Sequence, residues 1–476
     1  MNKRYSTVVL FSLLTAGREA PAIETAPPAP YRAVRLEGIP HVRQKPDFCG
    51  EACVEMVLRK LGSATTQDDV FDAAGVDPAA GRGCRTAELA RALRRLGFAP
   101  TDTWHKVPAR STQTIEEQWR RVHEDLLRGV PSIVCMRTGP GRDATEHFRL
   151  VLGYDPDTGA MLYHEPAEPH GAYRRMPLGE LFACWPLKYA ANTWTIIRIP
   201  LEPLALRAPA RSTGFTDADY AQHVMRLKRK LPCEGWTIVI QRPFVVVGDE
   251  RPERVRLRAQ QTVKWATDRL KRMYFPKDPR DILDIWLFKD RTSYRKHTWA
   301  VFRDRPDTPF GYSSSEHKAL IMNIATGGGT LVHEIVHPFM EANFPECPAW
   351  FNEGLASLYE QSSGRGRRII GLTNWRLAGL QEAISAGHVP PFRDLLSTTT
   401  HQFYNADPGT NYAQARYLCY YLQQKGLLVK YYRQFKGNCR RDPTGYETLK
   451  TVLNEQDMQA FEKRWKRFVL GLRFPG

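Results

Sequence analysis

A chain of 476 residues, 42% hydrophobic and 25% charged, is not disordered over most of its length and has the size of two or three domains. Its 68 Lys and Arg against 51 Asp and Glu leave a net charge of +17. The basic runs Arg120–Arg121, Arg226–Lys230, Arg365–Arg368 and Arg440–Arg441 are short, and no base-stacking motif interleaves with them. That argues against a nucleic-acid binder and for a basic surface suited to anionic envelope polymers or acidic substrates.

Residues 1–22 read as an export signal. Lys3 and Arg4 precede the apolar stretch Val8–Ala16, and Ala20-Pro21-Ala22 offers a small-residue cleavage site. A plain unstructured N-terminus is the alternative. Arg18 stands where a lipoprotein signal carries its cysteine, so no anchor is predicted, and no transmembrane helix is expected. The expected location is periplasmic or extracellular. The 9 cysteines are irregularly spaced without a CxxC pair, and in an exported chain an odd count leaves a thiol outside internal pairing.

Pro- and Ala-rich residues 23–33 read as a linker, as do residues 201–215, where periodic patterning gives way to Pro, Ala, Arg and Ser. They separate a body over 34–200 from one over 216–476. In the first, apolar positions at a 3.6-residue rhythm predict helices over Cys49–Leu61, Thr86–Leu96 and Ile115–Leu127. Strands follow over Pro131–Met136, Phe148–Tyr154 and Met161–His164. In the second, helices are expected over Asp217–Leu231 and Val255–Met273, with strands over Phe244–Val247, Ile282–Phe288 and Ala319–Ile324. From Gly327 onward the pattern is almost wholly helical. The fold class is α+β in two domains, the second with an α/β front half and a helical back half.

His333-Glu334-Ile335-Val336-His337 is an HExxH motif at the seam between those halves. Histidines at i and i+4 lie one helical turn apart and reach one ion, and Glu334 beside them can take a proton from the water a metal activates. Sixteen residues past His337, Glu353 lies in the run Trp350-Phe351-Asn352-Glu353-Gly354-Leu355-Ala356, with Pro348 suited to that helix's first turn. Two His and one Glu are a catalytic zinc set with an open position, so one Zn2+ per chain is expected. Gly327-Gly328-Gly329 gives a flexible entry and Thr330 a cap for the ligand helix.

These motifs resemble the gluzincin metallopeptidases over roughly residues 244–422. The resemblance implies a zincin-like domain with His333, His337 and Glu353 as ligands and Glu334 as general base. Two positions depart from the pattern. Pro338 follows the second ligand and is expected to kink the helix. Ser357 stands where thermolysin-like relatives carry an Asp that supports a histidine. Tyr412 is a candidate oxyanion donor, with packing in a helix core as the alternative.

The first body carries a second constellation. Gln44-Lys45-Pro46-Asp47-Phe48-Cys49-Gly50 leads into a helix whose N-terminal dipole favours the Cys49 thiolate, and Gln44 can bring an amide to the oxyanion. His147 opens an apolar strand as candidate base, and Glu165, after the next strand, can orient it. The pattern resembles the papain-like peptidases of the bacteriocin-processing, double-glycine type over roughly residues 39–194, with Glu165 where that family usually has Asp. Cys53 reads as a core residue. The combined reading is an exported peptidase acting on a peptide or protein, with a zinc site and a second thiol-peptidase site. The alternatives are one zinc peptidase with an inactive peptide-recognition domain, or a non-catalytic envelope interaction protein. Substrate identity, endo- or exopeptidase action and oligomeric state stay open.

Overall fold

The computed structural model describes residues 31–139, 141, 143–209 and 213–475. The export signal expected over 1–22, residues 23–30 of the first expected linker and residues 210–212 of the second lie outside them. Among the described residues, no helix is long and apolar enough to cross a membrane.

Up to Pro200 the elements run β1 (Val34–Arg35), α1 (Cys49–Lys60), α2 (Gln67–Ala74), α3 (Thr86–Leu96), β2 (Trp104–Pro108), α4 (Thr112–Leu127) and β3 (Ser132–Arg137). There follow β4 (Glu146–Asp155), β5 (Ala160–His164), β6 (Arg174–Pro177), α5 (Leu178–Cys184) and β7 (Thr193–Pro200). Beyond them lie α6 (Asp217–Lys228), β8 (Thr237–Gln241), β9 (Phe244–Gly248), α7 (Pro252–Arg258), α8 (Trp265–Met273), β10 (Leu283–Phe288), α9 (Arg291–Phe302), β11 (Gly311–Ser314) and β12 (Ala319–Asn323). The helical remainder opens with α10 (Gly329–Asn343) and α11 (Ala349–Glu360), followed by a small hairpin of β13 (Ser362–Arg365) and β14 (Arg368–Gly371). Then come α12 (Arg376–Ser385), α13 (Phe392–Leu396), α14 (Thr400–Asn405), α15 (Pro408–Gln424) and three further helices ending at Leu470.

These elements pack into two compact units that interleave along the chain. Residues 31–43, Arg59–Gly62 and Ala99–Pro203 form the first, and Gln44–Leu58, Ser63–Phe98 and the chain from Leu204 onward form the second. Helices α1 to α3, which sequence order groups with the first body, therefore cluster with the second. Backbone contacts within that unit carry this: the Ala218 amide donates to Asp72 at 2.8 Å and Gln222 donates to the Pro46 carbonyl at 2.9 Å.

The first unit is an antiparallel sheet in the order β2-β7-β3-β4-β5-β6, with β1 paired to β4. Alternate residues of β3 and β4, Val134, Met136 and Val151, meet Trp119, Val122 and Leu126 of α4, the period-2 pattern against a helical stripe. Met136 stands opposite His147, so the register fixes where that histidine leaves the sheet.

The second unit holds a five-stranded sheet, β11-β12-β10-β9-β8, whose central pairs β9–β10 and β10–β12 are parallel and whose edges are antiparallel. It is covered on both faces, so its strands read as continuous apolar runs. Ile285 and Leu287 of β10 join the core that holds α10 and α11, while Trp286 and Phe288 join Tyr220 of α6 and Tyr294 of α9.

Two local expectations are corrected. The single helix expected over Val255–Met273 is interrupted by π-helical turns over Ala259–Lys264; a shift from i+4 to i+5 bonding leaves no trace in apolar periodicity. Thr330 does not cap α10: Gly328 holds the cap position without a side-chain bond, and Thr330 lies inside the helix. α10 carries Pro338 inside it and continues to Asn343, with Val336, Phe339 and Met340 anchored in the core.

Candidate functional site

His333 and His337 project from α10 and Glu353 from the first half of α11. One ligand atom from each lies within 4.8 Å of the other two. His333 Nε2 is 3.2 Å from Glu353 Oε2, and His337 Nε2 is 3.9 Å from Glu353 Oε1. Donors on one tetrahedral ion at zinc–ligand distances stand about 3.3–3.6 Å apart, so these spacings suit a shared cation.

Each imidazole is held from behind. His333 Nδ1 lies 3.1 Å from Glu360 Oε1, and His337 Nδ1 donates to Asn352 Oδ1 at 3.0 Å. Both Nε2 atoms are thereby turned toward Glu353, the arrangement that fixes tautomer and ring orientation in metal sites. Arg376 Nη2 donates to Glu360 Oε1 at 3.0 Å, and Tyr404 Oη donates to Glu353 Oε1 at 2.6 Å.

Charge points the same way. Burial lowers the His333 pKa, but the adjacent Glu353 and Glu360 carboxylates outweigh it and push the value up to about 10. Burial raises Glu353 and Glu360, yet His333 and their other partners hold both at about 2. Two ionised carboxylates thus face one buried ring, and Glu353 Oε2 and His333 Nδ1 are both buried in ion contact without a well-formed hydrogen bond. A cation against the two Nε2 atoms and Glu353 satisfies this set, and two imidazoles with one carboxylate are a zinc-type donor set.

The helices meet here because of a glycine. A Cβ on Gly329 would stand 2.2 Å from the Glu360 carbonyl oxygen, so only glycine lets the start of α10 close on the end of α11. Glu334 and Tyr412 line a cleft of about 720 Å3 with His333, Phe310, Trp375 and Arg376. The Tyr412 phenol is held protonated by burial and by the Glu353 charge, which leaves it a donor. Its ring lies 6.1 Å from that of Tyr404.

Sequence reasoning missed Glu360, Asn352, Arg376 and Tyr404. Glu360 follows Glu353 by seven residues, two turns along one helix face, a signal the chain did contain. Ser357, the position expected to support a histidine, is buried with Oγ unpartnered; Glu360 takes that place.

In the first unit, His147 Nε2 and Glu165 Oε1 are 2.5 Å apart, while Arg149 Nε donates to Glu165 Oε2 at 2.7 Å. The Ala167 amide adds a bond to Glu165 Oε1 at 3.1 Å. Burial raises the Glu165 pKa, but His147 and Arg149 outweigh it and hold the carboxyl at about 2. Glu165 therefore stays ionised and orients His147. Arg149, absent from the sequence reading, secures the second carboxylate oxygen.

Cys49 and Gln44 belong to the second unit. Cys49 is the first residue of α1, half-buried, and Gln44 Oε1 is buried without a partner. Two residues on, Glu51 is fully buried; burial pushes its carboxyl up to about 7 against a bond from the Cys84 amide, 2.7 Å long. All nine cysteines are free thiols.

His333, His337 and Glu353 thus form a donor set of the kind that holds a metal ion, with Glu334 lining the adjoining cleft. Residues 36–192 match the model of the Peptidase_C39 like family, a third of the chain, which supports a peptidase of the cysteine type for that segment. No curated protein matches the chain.

Proposed function

We propose that the protein is an exported peptidase whose C-terminal half, a zincin-like domain, cuts peptide bonds at a zinc site formed by His333, His337 and Glu353. The observation that carries this is the convergence of both Nε2 atoms on Glu353 while both Nδ1 atoms are engaged by Glu360 and Asn352. Zinc bound there supplies Lewis acidity to the peptide carbonyl and to the attacking water. Glu334, at the cleft, takes the proton of that water and returns it to the leaving amine. Tyr412 donates its phenolic hydrogen to the oxygen on which negative charge develops. The test is hydrolysis of a peptide library with and without chelator. Activity that chelator removes, and that Glu334→Gln lowers by about 10²–10⁴-fold with metal retained, supports the reading. Chelator-insensitive activity in Glu334→Gln opposes it.

A second reading concerns the segment matching the Peptidase_C39 like family. Within that segment Cys49, at the head of α1 and near Gln44, has the chemistry of a nucleophile, and His147, oriented by Glu165, that of a base and acid. The ionised Glu165 bonded to His147 favours it. Loss of a chelator-resistant activity in Cys49→Ala would support it, and its survival would leave that segment to peptide recognition.

A further inference from the structure

We propose that a cleft between α8 and the tip of the β13–β14 hairpin binds a phosphate group. The cleft, about 560 Å3, is lined by Arg242, Arg269, Lys271, Arg272 and Arg367, with Asp268 and Thr267. Three of these charges are answered locally: Arg242 pairs with Asp217, Lys271 with Asp278, and Asp268 with Lys264. Arg269, Arg272 and Arg367 have no carboxylate partner among the described residues.

The hairpin concentrates charge further. Arg365 and Arg368 stand directly opposite each other in register, and Arg367 occupies the turn between them. Like charges facing across a strand pair destabilise it, so this tip is built at a cost that an anion offsets. Arg269 is fixed as a recognition group. Its guanidinium stacks 4.8 Å over Trp265 and donates to the Trp265 and Gly366 carbonyls at 3.2 and 3.3 Å, leaving Nε unpartnered. Thr267, 2% exposed, lines the same cleft with Oγ1 unpartnered. Guanidinium forks with a hydroxyl match the several acceptor oxygens of a phosphate better than a single carboxylate. The ligand is a phosphate monoester or diester, free or carried on a lipid headgroup, and none of these residues lines the cleft at His333.

Calorimetric titration of the full-length protein with inorganic phosphate at low salt tests this. Binding that weakens with added salt, and at least tenfold in R272Q/R367Q, is expected. The control pair R393Q/K466Q, in a separate basic cleft, should leave it unchanged. Co-sedimentation with phosphatidylglycerol vesicles, against phosphatidylcholine, separates the sources. Sedimentation dependent on Arg272 and Arg367 assigns a headgroup, and phosphate binding without it assigns a soluble ester. No phosphate binding, or binding or sedimentation indifferent to R272Q/R367Q, or equally lost in the control pair, overturns the proposal.

Discussion

Glu360 Oε1 stands 3.1 Å from Nδ1 of His333, while Glu353 Oε2 stands 3.2 Å from Nε2 of the same ring. One imidazole is thus clamped between two carboxylates seven residues apart on α11. Glu360 acts as a positioning residue that holds the ring and raises its basicity toward a metal. Glu360→Gln should lower metal affinity on the order of tenfold, the low end of the range for such partners, with the fold intact. Competition titration against a chromogenic chelator reads this directly.

Two tyrosines flank Glu353 and should behave differently. Tyr404 donates to Glu353 at 2.6 Å, so Tyr404→Phe removes a bond that steadies a ligand and should weaken metal binding. Tyr412 lines the cleft as a protonated donor. Tyr412→Phe should lower kcat about 10²–10³-fold with KM and metal content nearly unchanged, as for loss of an oxyanion donor. Steady-state kinetics beside metal analysis separate the two roles.

The approach of α10 to α11 depends on Gly329. Ala there would place Cβ 2.2 Å from the Glu360 carbonyl oxygen. The expected outcome is a loss of about 1–3 kcal/mol, typical of overpacking, with weakened metal binding because Glu360 is displaced from His333. Gly327→Ala makes a useful contrast, since its Cβ meets nothing within 4 Å and only its φ of 104° opposes the change. Denaturant melts with and without zinc read both.

In the first unit the ion pair of Arg149 and Glu165 is buried, each side chain 8% exposed. Arg149→Met leaves Glu165 with only His147 and the Ala167 amide, and should cost about 3–5 kcal/mol, as for breaking a buried pair from one side. The sign with pH follows from the depressed Glu165 pKa. Its contribution is present above the ordinary value near 4.5 and is lost as pH falls toward about 2. The variant should therefore unfold in acid at a higher pH than the parent, which a circular-dichroism titration would show.

The HExxH pair was legible because i and i+4 on a helix is a local relation, and Glu353 because a second apolar-faced helix carries it. Glu360 was hidden by attention to Ser357, the position a resemblance singled out, although two turns of α11 place it on the ligand's own face. Tyr404 reaches Glu353 across 51 residues, a tertiary contact with no periodic signature. The grouping of α1 to α3 with the later chain likewise rests on contacts such as Ala218 to Asp72, which sequence order obscures. Strands buried on one or both faces, β3, β4, β9, β10 and β12, were readable from their Ile, Val and Leu runs. The edge strands β2, β8 and β11 were not, since half-exposed edges lack that pattern.

Metal content decides whether His333, His337 and Glu353 form a zinc site. Elemental analysis of purified, tag-free full-length protein should find about one zinc per chain, lost in His333→Ala and retained in Glu334→Gln. Protein that stays free of zinc after reconstitution, or a His333→Ala variant that keeps it, would contradict the account.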